Sequence, residues 1–122
     1  MTQILVVDDS ATMRRMVMAS LRSLPEVNFG EAGTGLEALE YLSLAPIDLI
    51  ILDMNMPDMH GLEMLKFVRG HQNYQELPII VLTTRGDEGM VEAAMSAGAS
   101  RYLTKPFEPG KLADTACGLL KN

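Results

Sequence analysis

Four short apolar segments of this chain are each followed closely by side chains that can bind cations or phosphate. These side chains are Asp8, Asp9, Asp53, Thr83 and Lys105. Three carboxylates brought together would repel one another, and a divalent cation with oxygen ligands, typically Mg²⁺, relieves that repulsion. A lysine can keep an aspartate ionised, and a threonine hydroxyl can donate to a phosphoryl oxygen. The residue types therefore predict phosphoryl transfer to a carboxylate beside a bound metal.

These side chains can cooperate only if the elements before them lie side by side. Five apolar runs recur along the chain, at residues 4–7, 27–29, 49–52, 79–82 and 102–103. Uninterrupted apolar runs are typical of parallel strands that helices cover on both faces. The segments between them have apolar residues at helical spacing, so the pattern predicts five βα units around a parallel sheet.

The helical spacing also predicts which side chains pack in the core. Met13, Met16 and Val17 belong to the first apolar stripe, Leu36 to the second and Met95 to the fourth. We interpret most of the ten methionines as core packing rather than as metal or cofactor ligands. Gly98 is placed to end the fourth helix, and Pro109 is placed in the first turn of the fifth.

The predicted topology decides where the polar residues meet. In open α/β sheets, ligands bind at the carboxyl ends of the strands, near the point where the strand order reverses. We therefore expect Asp8, Asp9, Asp53, Thr83 and Lys105 to converge in one cleft. Each residue alone has an ordinary explanation, such as a solvated turn or a helix cap. Their joint position after four strands makes the cleft the better interpretation.

Length and composition predict one domain, residues 1–122, in the cytoplasm. The sequence has 122 residues, 48% of them hydrophobic, which suffices for a single core. It contains no apolar run of the roughly 18 residues that a membrane span needs, and it does not begin like a signal peptide. Its ends at Met1 and Asn122 favour a complete protein without an output domain. The single cysteine, Cys117, excludes an internal disulfide and is expected to pack in the core.

The charge balance argues against nucleic acid as a partner. The chain has 16 acidic and 10 basic residues, a formal net charge of −6, and no cluster of basic residues. Nonspecific nucleic-acid binding needs a basic surface. We expect a protein that binds neither nucleic acid nor membrane and that is a monomer.

Several of these residues form a motif set that resembles the response-regulator receiver domain. The set is Asp8-Asp9, Asp53 with Asn55-Met56-Pro57 and Gly61, Thr83, and Tyr102 with Lys105-Pro106-Phe107. It spans about a hundred residues, and the likeness is greatest to the stand-alone chemotaxis members of the family. The resemblance implies a flavodoxin-like (βα)5 three-layer sandwich with strand order 2-1-3-4-5.

The resemblance also implies a role for each site residue. Asp53 would be the phosphoacceptor. Asp9, Asp53 and the backbone carbonyl of Asn55 would bind Mg²⁺ directly, and Asp8 would bind it through a water. Lys105 would contact the phosphoryl group.

Three further residues would complete the switch. Lys105 would be joined to Pro106 by a cis peptide bond. Thr83 would move toward the phosphoryl group, and Tyr102 would change rotamer. The phosphodonor would be a sensor histidine kinase. The output partner would bind the face made by the last two helices and the fifth strand; in chemotaxis this partner is the flagellar motor switch.

Three functions remain open on the sequence. The first is a stand-alone chemotaxis switch, which catalyses only its own phosphorylation and dephosphorylation. The second is a phosphorelay intermediate or the receiver portion of a longer regulator. The third is a phosphatase with an aspartyl nucleophile, which is disfavoured because such enzymes carry Asp-x-Asp after the first strand and this chain has Asp8-Asp9.

Overall fold

A computed structural model describes residues 1–55, 61–84 and 87–120 of the chain. These residues form one five-stranded sheet in which every neighbouring pair is parallel and the order is β2-β1-β3-β4-β5. The strands are β1 (Thr2–Val7), β2 (Val27–Ala32), β3 (Leu49–Asp53), β4 (Ile79–Thr84) and β5 (Arg101–Lys105). The fold class and strand order predicted above are confirmed. The order reverses between β1 and β3, which is where ligands bind in such sheets.

One helix follows each strand. The helices are α1 (Ala11–Leu21), α2 (Gly35–Leu44), α3 (Gly61–Gly70), α4 (Glu88–Ala97) and α5 (Pro109–Leu120), with a short 3₁₀ helix at Gln72–Tyr74. Side-chain oxygens of Ser10, Thr34 and Asp87 accept backbone N–H groups at the starts of α1, α2 and α4. Gly98 ends α4 with a left-handed φ of 113°, as its position predicted.

Alternate strand residues point to opposite faces of the sheet and build two cores. Leu5, Ile50 and Val81 belong to the core that α2, α3 and α4 cover. Ile51 and Leu82 belong to the core that α1 and α5 cover. The central strands are buried on both faces, which explains why they appear in the sequence as continuous apolar runs.

The strands are longer than their apolar runs, so several site residues lie inside strand ends. Asp53 is the last residue of β3, Lys105 is the last residue of β5, and Thr83 lies within β4. Backbone hydrogen bonding continues past the last apolar side chain because the ladder needs only N–H and C=O groups. These polar residues are consequently held by the sheet itself rather than by loops.

Three residues assigned to the apolar helical stripes do not pack in the core. Met16 is 52% exposed, Leu36 62% and Met95 40%. Successive helical residues are turned by about 100°, which carries each of these side chains away from the buried residues of its own helix. The expectation that most of the ten methionines pack in the core is wrong for the described residues, where only Met18, Met54 and Met64 are buried.

Within the described ranges, no helix is both long enough and apolar enough to cross a membrane.

Gly61 lies where the start of α3 packs on the end of β3. A Cβ added there would lie 2.7 Å from the Met54 Cα and 2.8 Å from the Asp53 carbonyl oxygen. These are backbone atoms, which cannot move away without distorting β3. We expect Gly61→Ala to lower the free energy of unfolding by about 1–3 kcal/mol, as other overpacked sites do. Urea denaturation measures this change.

Gly118→Ala is the matched control. This glycine lies within α5 and has no atom within 4 Å of an added Cβ. Alanine at an unobstructed helix position is expected to raise the free energy of unfolding by about 0.5–1 kcal/mol. Equal effects of the two substitutions would show that the close approach at Gly61 is unimportant.

Candidate functional site

Three carboxylates lie together at the carboxyl ends of β1 and β3. Asp8, Asp9 and Asp53 each offer an oxygen within 4.8 Å of the others. Asp8 and Asp53 are each only 2% exposed, whereas Asp9 is exposed to solvent. Two neighbouring buried carboxylates are costly unless cations compensate them. The chain therefore maintains a strongly anionic cleft at the reversal of strand order.

Lys105 reaches this cluster from the end of β5. Its Nζ lies 3.0 Å from Asp53 Oδ1 and 3.3 Å from Asp8 Oδ2. Burial lowers the pKa of the Lys105 ammonium, but the hydrogen bond and charge of Asp53, aided by Asp8, outweigh burial and place that pKa above its usual value. The lysine is therefore a fixed positive charge shared by two carboxylates. The Lys105–Pro106 peptide bond is cis.

The Asp8 carboxyl is held between opposing influences. Burial raises its pKa above the usual value, and the neighbouring Asp53 carboxylate raises it further. The Ser10 N–H, which donates to Asp8 Oδ1 at 2.9 Å, and the Lys105 ammonium act in the opposite direction without cancelling the rise. A second cation beside this carboxyl would therefore be favourable.

One backbone N–H and the Lys105 ammonium orient the Asp53 carboxylate. The N–H of Asn55 donates to Asp53 Oδ1 at 3.1 Å, so this oxygen accepts from both Asn55 and Lys105. The Asn55 side chain donates from Nδ2 to Thr84 Oγ1 at 2.9 Å, which links the ends of β3 and β4. These two hydrogen bonds to Oδ1 restrict the direction of the Asp53 carboxylate.

Thr83 carries a buried hydroxyl to which the described residues offer no hydrogen-bond partner. Its side chain is 0% exposed, and within residues 1–55, 61–84 and 87–120 no group hydrogen-bonds to Oγ1. Thr83 comes directly after Leu82, which pairs with Asp53 across β3 and β4. Buried hydroxyls are nearly always satisfied, so an unsatisfied one beside the cluster is an unusual feature.

Tyr102 lies on the same face of the sheet as Thr83, toward α4. Tyr102 pairs with Val81, and Thr104, two residues further along β5, pairs with Thr83. The Tyr102 side chain is 46% exposed and borders an open cavity of about 400 Å³ between α4 and β5. Thr83 and this exposed aromatic residue therefore lie on the same face of two neighbouring strands.

One residue near the cluster escaped the sequence reasoning. Arg14 of α1 donates from Nη1 to the Asp8 carbonyl oxygen at 2.6 Å. Its position within the first turns of a helix that follows Asp8-Asp9 is the only sequence signal, and that signal does not distinguish it from Arg15. Of the residues carrying the resemblance, Met56 and Pro57 lie outside the described residues.

The cluster fits a magnesium ion by its donor chemistry. Three carboxylate oxygens within 4.8 Å of one another are hard ligands, and one carboxylate faces solvent. Mg²⁺ prefers oxygen ligands and usually retains several waters, which an open cleft permits. Burial, and then the neighbouring Asp53 carboxylate, raise the pKa of Asp8, and a cation bound beside Asp8 would favour its ionised form.

Comparison with known proteins agrees with this geometry. The family model of the response regulator receiver domain matches residues 4–116. The chain is 44% identical over 108 residues to the chemotaxis protein CheY1 of Helicobacter pylori, covering 88% of this chain and 87% of that protein.

Two solved structures are similar over nearly the whole chain. The chemotaxis protein CheY4 of Vibrio cholerae has a TM-score of 0.89 at 38% identity, covering 98% of this chain and 99% of that one. The receiver domain of a histidine kinase from Syntrophus aciditrophicus has a TM-score of 0.90 at 31% identity, covering 99% and 91%. With its anionic cleft, its shared lysine and these likenesses, the chain belongs to the response regulator receiver domain family.

Proposed function

We propose that this chain is a CheY-like phosphorylation switch in which Asp53 accepts a phosphoryl group from a sensor histidine kinase. The contact between Lys105 Nζ and Asp53 Oδ1, 3.0 Å long within a cluster of three carboxylates, carries the proposal. The Asp53 carboxylate is the nucleophile, and the Lys105 ammonium in contact with it is placed to neutralise negative charge as the phosphoryl group arrives. Residues 1–122 act as one receiver domain.

The transfer forms an acyl phosphate on Asp53. A carboxylate oxygen attacks the phosphorus of a phosphohistidine on the kinase. A P–O bond forms while the P–N bond breaks, and the imidazole leaves with the electron pair and takes a proton from solvent. Attack by water on the same phosphorus later releases inorganic phosphate and restores the carboxylate. The chain thus promotes only its own phosphorylation and dephosphorylation and turns over no separate substrate.

The acidic cluster supplies the magnesium site of this reaction. Asp9, Asp53 and the Asn55 backbone carbonyl would hold the ion directly, and Asp8 would hold it through a water. When bound, Mg²⁺ neutralises negative charge on the phosphoryl oxygens. Lys105 is placed to neutralise another of these oxygens while it holds Asp53 in direction.

The Thr83 hydroxyl, which has no hydrogen-bond partner in the described part of the chain, is the first part of the switch. A phosphoryl group adds negative charge and acceptor oxygens at the end of β3, and Thr83 Oγ1 gains a partner by moving toward them. A difference of a few kcal/mol between two conformations is enough for such a bond to change their populations. Tyr102 then turns toward the space that Thr83 leaves.

The output surface is the α4-β5-α5 face. Tyr102 lies at its centre, and the neighbouring cavity is lined by residues of α4 and β5, including Val91 and Thr104. A phosphorylation-dependent protein partner would bind there. The likeness to chemotaxis proteins favours the flagellar motor switch as that partner, with the receiver acting as a monomer in the cytoplasm. The net charge of −6 favours a protein partner over nucleic acid.

A second function within the family has its own support. The similarity to the receiver of a Syntrophus aciditrophicus histidine kinase favours a phosphorelay intermediate or a receiver portion of a longer regulator. A relay protein would pass its phosphoryl group onward to a histidine phosphotransfer domain. An output switch would instead retain it and bind a partner in proportion to phosphorylation.

Labelling with a small phosphodonor tests the proposed function. The protein is incubated with acetyl phosphate and Mg²⁺, and its intact mass is measured over time. We expect one phosphoryl group per chain, no labelling with a chelator present, and no labelling of Asp53→Asn. Asp114 is an exposed aspartate of α5 and gives a matched control, because Asp114→Asn should be labelled like the wild type. Unchanged labelling of Asp53→Asn would contradict the assignment of the phosphoacceptor.

A further inference from the structure

Arg14 bridges the carboxyl ends of β1 and β2, next to the acidic cluster. Its Nη1 donates to the Asp8 carbonyl oxygen at 2.6 Å, and its Nε donates to Glu31 Oε1 at 2.9 Å. Asp8 directly follows β1, and Glu31 is the second-last residue of β2. The Arg14 side chain is only 17% exposed, so these contacts form in a largely enclosed position.

The Asp8 carbonyl belongs to the peptide unit that joins Asp8 to Asp9. A peptide unit is planar, so a hydrogen bond that fixes the carbonyl also fixes the relative direction of the two Cα atoms. Among the described residues, no backbone N–H donates to this oxygen, and Arg14 supplies its hydrogen bond. The direction in which the exposed Asp9 side chain leaves the backbone therefore depends on Arg14.

Glu31 orients the guanidinium that makes this contact. The guanidinium is a rigid planar fork, so binding Glu31 through Nε restricts where Nη1 points. Glu31 is 46% exposed, and a half-exposed ion pair contributes little to stability by itself. Its effect is instead geometric, since it holds the arginine over the Asp8–Asp9 peptide.

We propose that Arg14, oriented by Glu31, is a positioning residue that sets the Asp8–Asp9 peptide for metal binding. It touches neither the ion nor the phosphoryl group and acts through the backbone that carries two of the three carboxylates. The inference rests on the proposed function, because it assumes that the acidic cluster binds Mg²⁺. It predicts a loss of metal affinity that is separable from any loss of stability.

Titration of the purified, unphosphorylated protein with Mg²⁺ by calorimetry tests this inference. Arg14→Gln is expected to weaken Mg²⁺ binding by about tenfold, a typical effect of removing an outer contact of a metal site. Glu31→Gln leaves the arginine in place and should weaken binding less. The Mg²⁺ concentration that gives half-maximal labelling by acetyl phosphate should rise in the same order, while the labelling rate at saturating Mg²⁺ is retained.

Arg69→Gln is the matched control for a merely structural role. Arg69 is also partly buried and donates to two backbone carbonyls, Gly98 O at 2.8 Å and Tyr74 O at 2.7 Å. It lies at the opposite end of the sheet, near the start of β4. Its loss should lower the urea midpoint but change Mg²⁺ affinity by less than about twofold, because outer contacts act only on a nearby metal.

Two results would overturn the positioning role of Arg14 and leave the proposed function standing. One is that Arg14→Gln binds Mg²⁺ with wild-type affinity. The other is that Arg14→Gln and Arg69→Gln lose Mg²⁺ affinity to the same extent. Failure of the wild-type protein to bind Mg²⁺ would overturn the metal site of the proposed function together with this inference. A folded Glu31→Gln protein with weakened binding supports the inference even if Arg14→Gln does not fold.

Discussion

Lys105→Met is expected to lower the free energy of unfolding of the Mg²⁺-free protein by about 3 kcal/mol at neutral pH, near the lower limit for breaking a buried ion pair. The substitution leaves Asp8 and Asp53, whose side chains are 3% and 2% exposed, facing each other without the ammonium that lies 3.3 and 3.0 Å from them. Urea denaturation in a chelator measures the effect. Added Mg²⁺ should stabilise the variant more than the wild type.

Acidification should reduce the defect of Lys105→Met. Burial, followed by repulsion from Asp53, raises the pKa of Asp8 in the folded protein above the ordinary value of an aspartate. A folded-state pKa above the unfolded value means that the folded state binds the proton more tightly. Stability is therefore gained as the pH falls through the raised pKa, and the destabilisation is fully present above it. Lys105 opposes the rise in the pKa of Asp8. In Lys105→Met the stability gained on acidification should therefore be larger than in the wild type.

Two variants distinguish the effect of breaking the contacts of Lys105 with the acidic cluster from the effect of losing a lysine anywhere on the protein. Lys111→Met changes an exposed lysine of α5 and should alter the free energy of unfolding by no more than about 0.5 kcal/mol. Asp8→Asn combined with Lys105→Met should recover much of the lost stability, because one of the opposed carboxylates is gone. If Lys105→Met is as stable as the wild type in chelator at neutral pH, the two carboxylates do not depend on this lysine.

Thr83→Val is expected to stabilise the unphosphorylated protein and to abolish its response to phosphorylation. The Thr83 hydroxyl is fully buried and, within the described part of the chain, lacks a hydrogen-bond partner. Leaving such a group unsatisfied costs about 1–3 kcal/mol, so valine of similar volume should raise the free energy of unfolding by about 1–2 kcal/mol. Labelling of Asp53 should continue, since the carboxylate and Lys105 are unchanged.

The response is measured by amide hydrogen exchange in α4 and β5 before and after labelling. Wild-type protein should show a change there, and Thr83→Val should show none. Thr104→Val is the matched control, because Thr104 pairs with Thr83 in the sheet but is partly exposed and can bond to water. It should change neither stability nor response appreciably. A destabilised Thr83→Val protein would mean that the hydroxyl has a partner in the resting state.

The positions of the strands along the chain and the main site residues could be predicted from the sequence because both leave local signals. Buried parallel strands appear as continuous apolar runs, as residues 4–7 and 49–52 do. Ligands gather at the carboxyl ends of such strands, so Asp8, Asp53 and Lys105 could be assigned to one cleft before any distance was known. The receiver resemblance added the strand order, which the apolar pattern alone does not specify.

The orientation of residues around each helix was less predictable. Met16 and Met95 have the spacing of core residues, yet they are exposed because the buried arc of their helix is centred on other residues. That arc is set by which strand and neighbouring helix the helix packs against. A periodic pattern gives the width of an apolar face but does not fix its edges.

The sequence by itself determined that a carboxylate, a threonine and a lysine would lie at or near the carboxyl ends of three strands, since their positions just after continuous apolar runs suffice for that. Only the tertiary structure decided that Lys105 is shared between Asp8 and Asp53 and that the Thr83 hydroxyl lacks a partner among the described residues. The same holds for the bridge from Arg14 to the Asp8 carbonyl and Glu31. Such contacts depend on strand register and side-chain direction to within an ångström. Lys105 and Asp8 are 97 positions apart in the sequence, so no local sequence pattern indicates their contact.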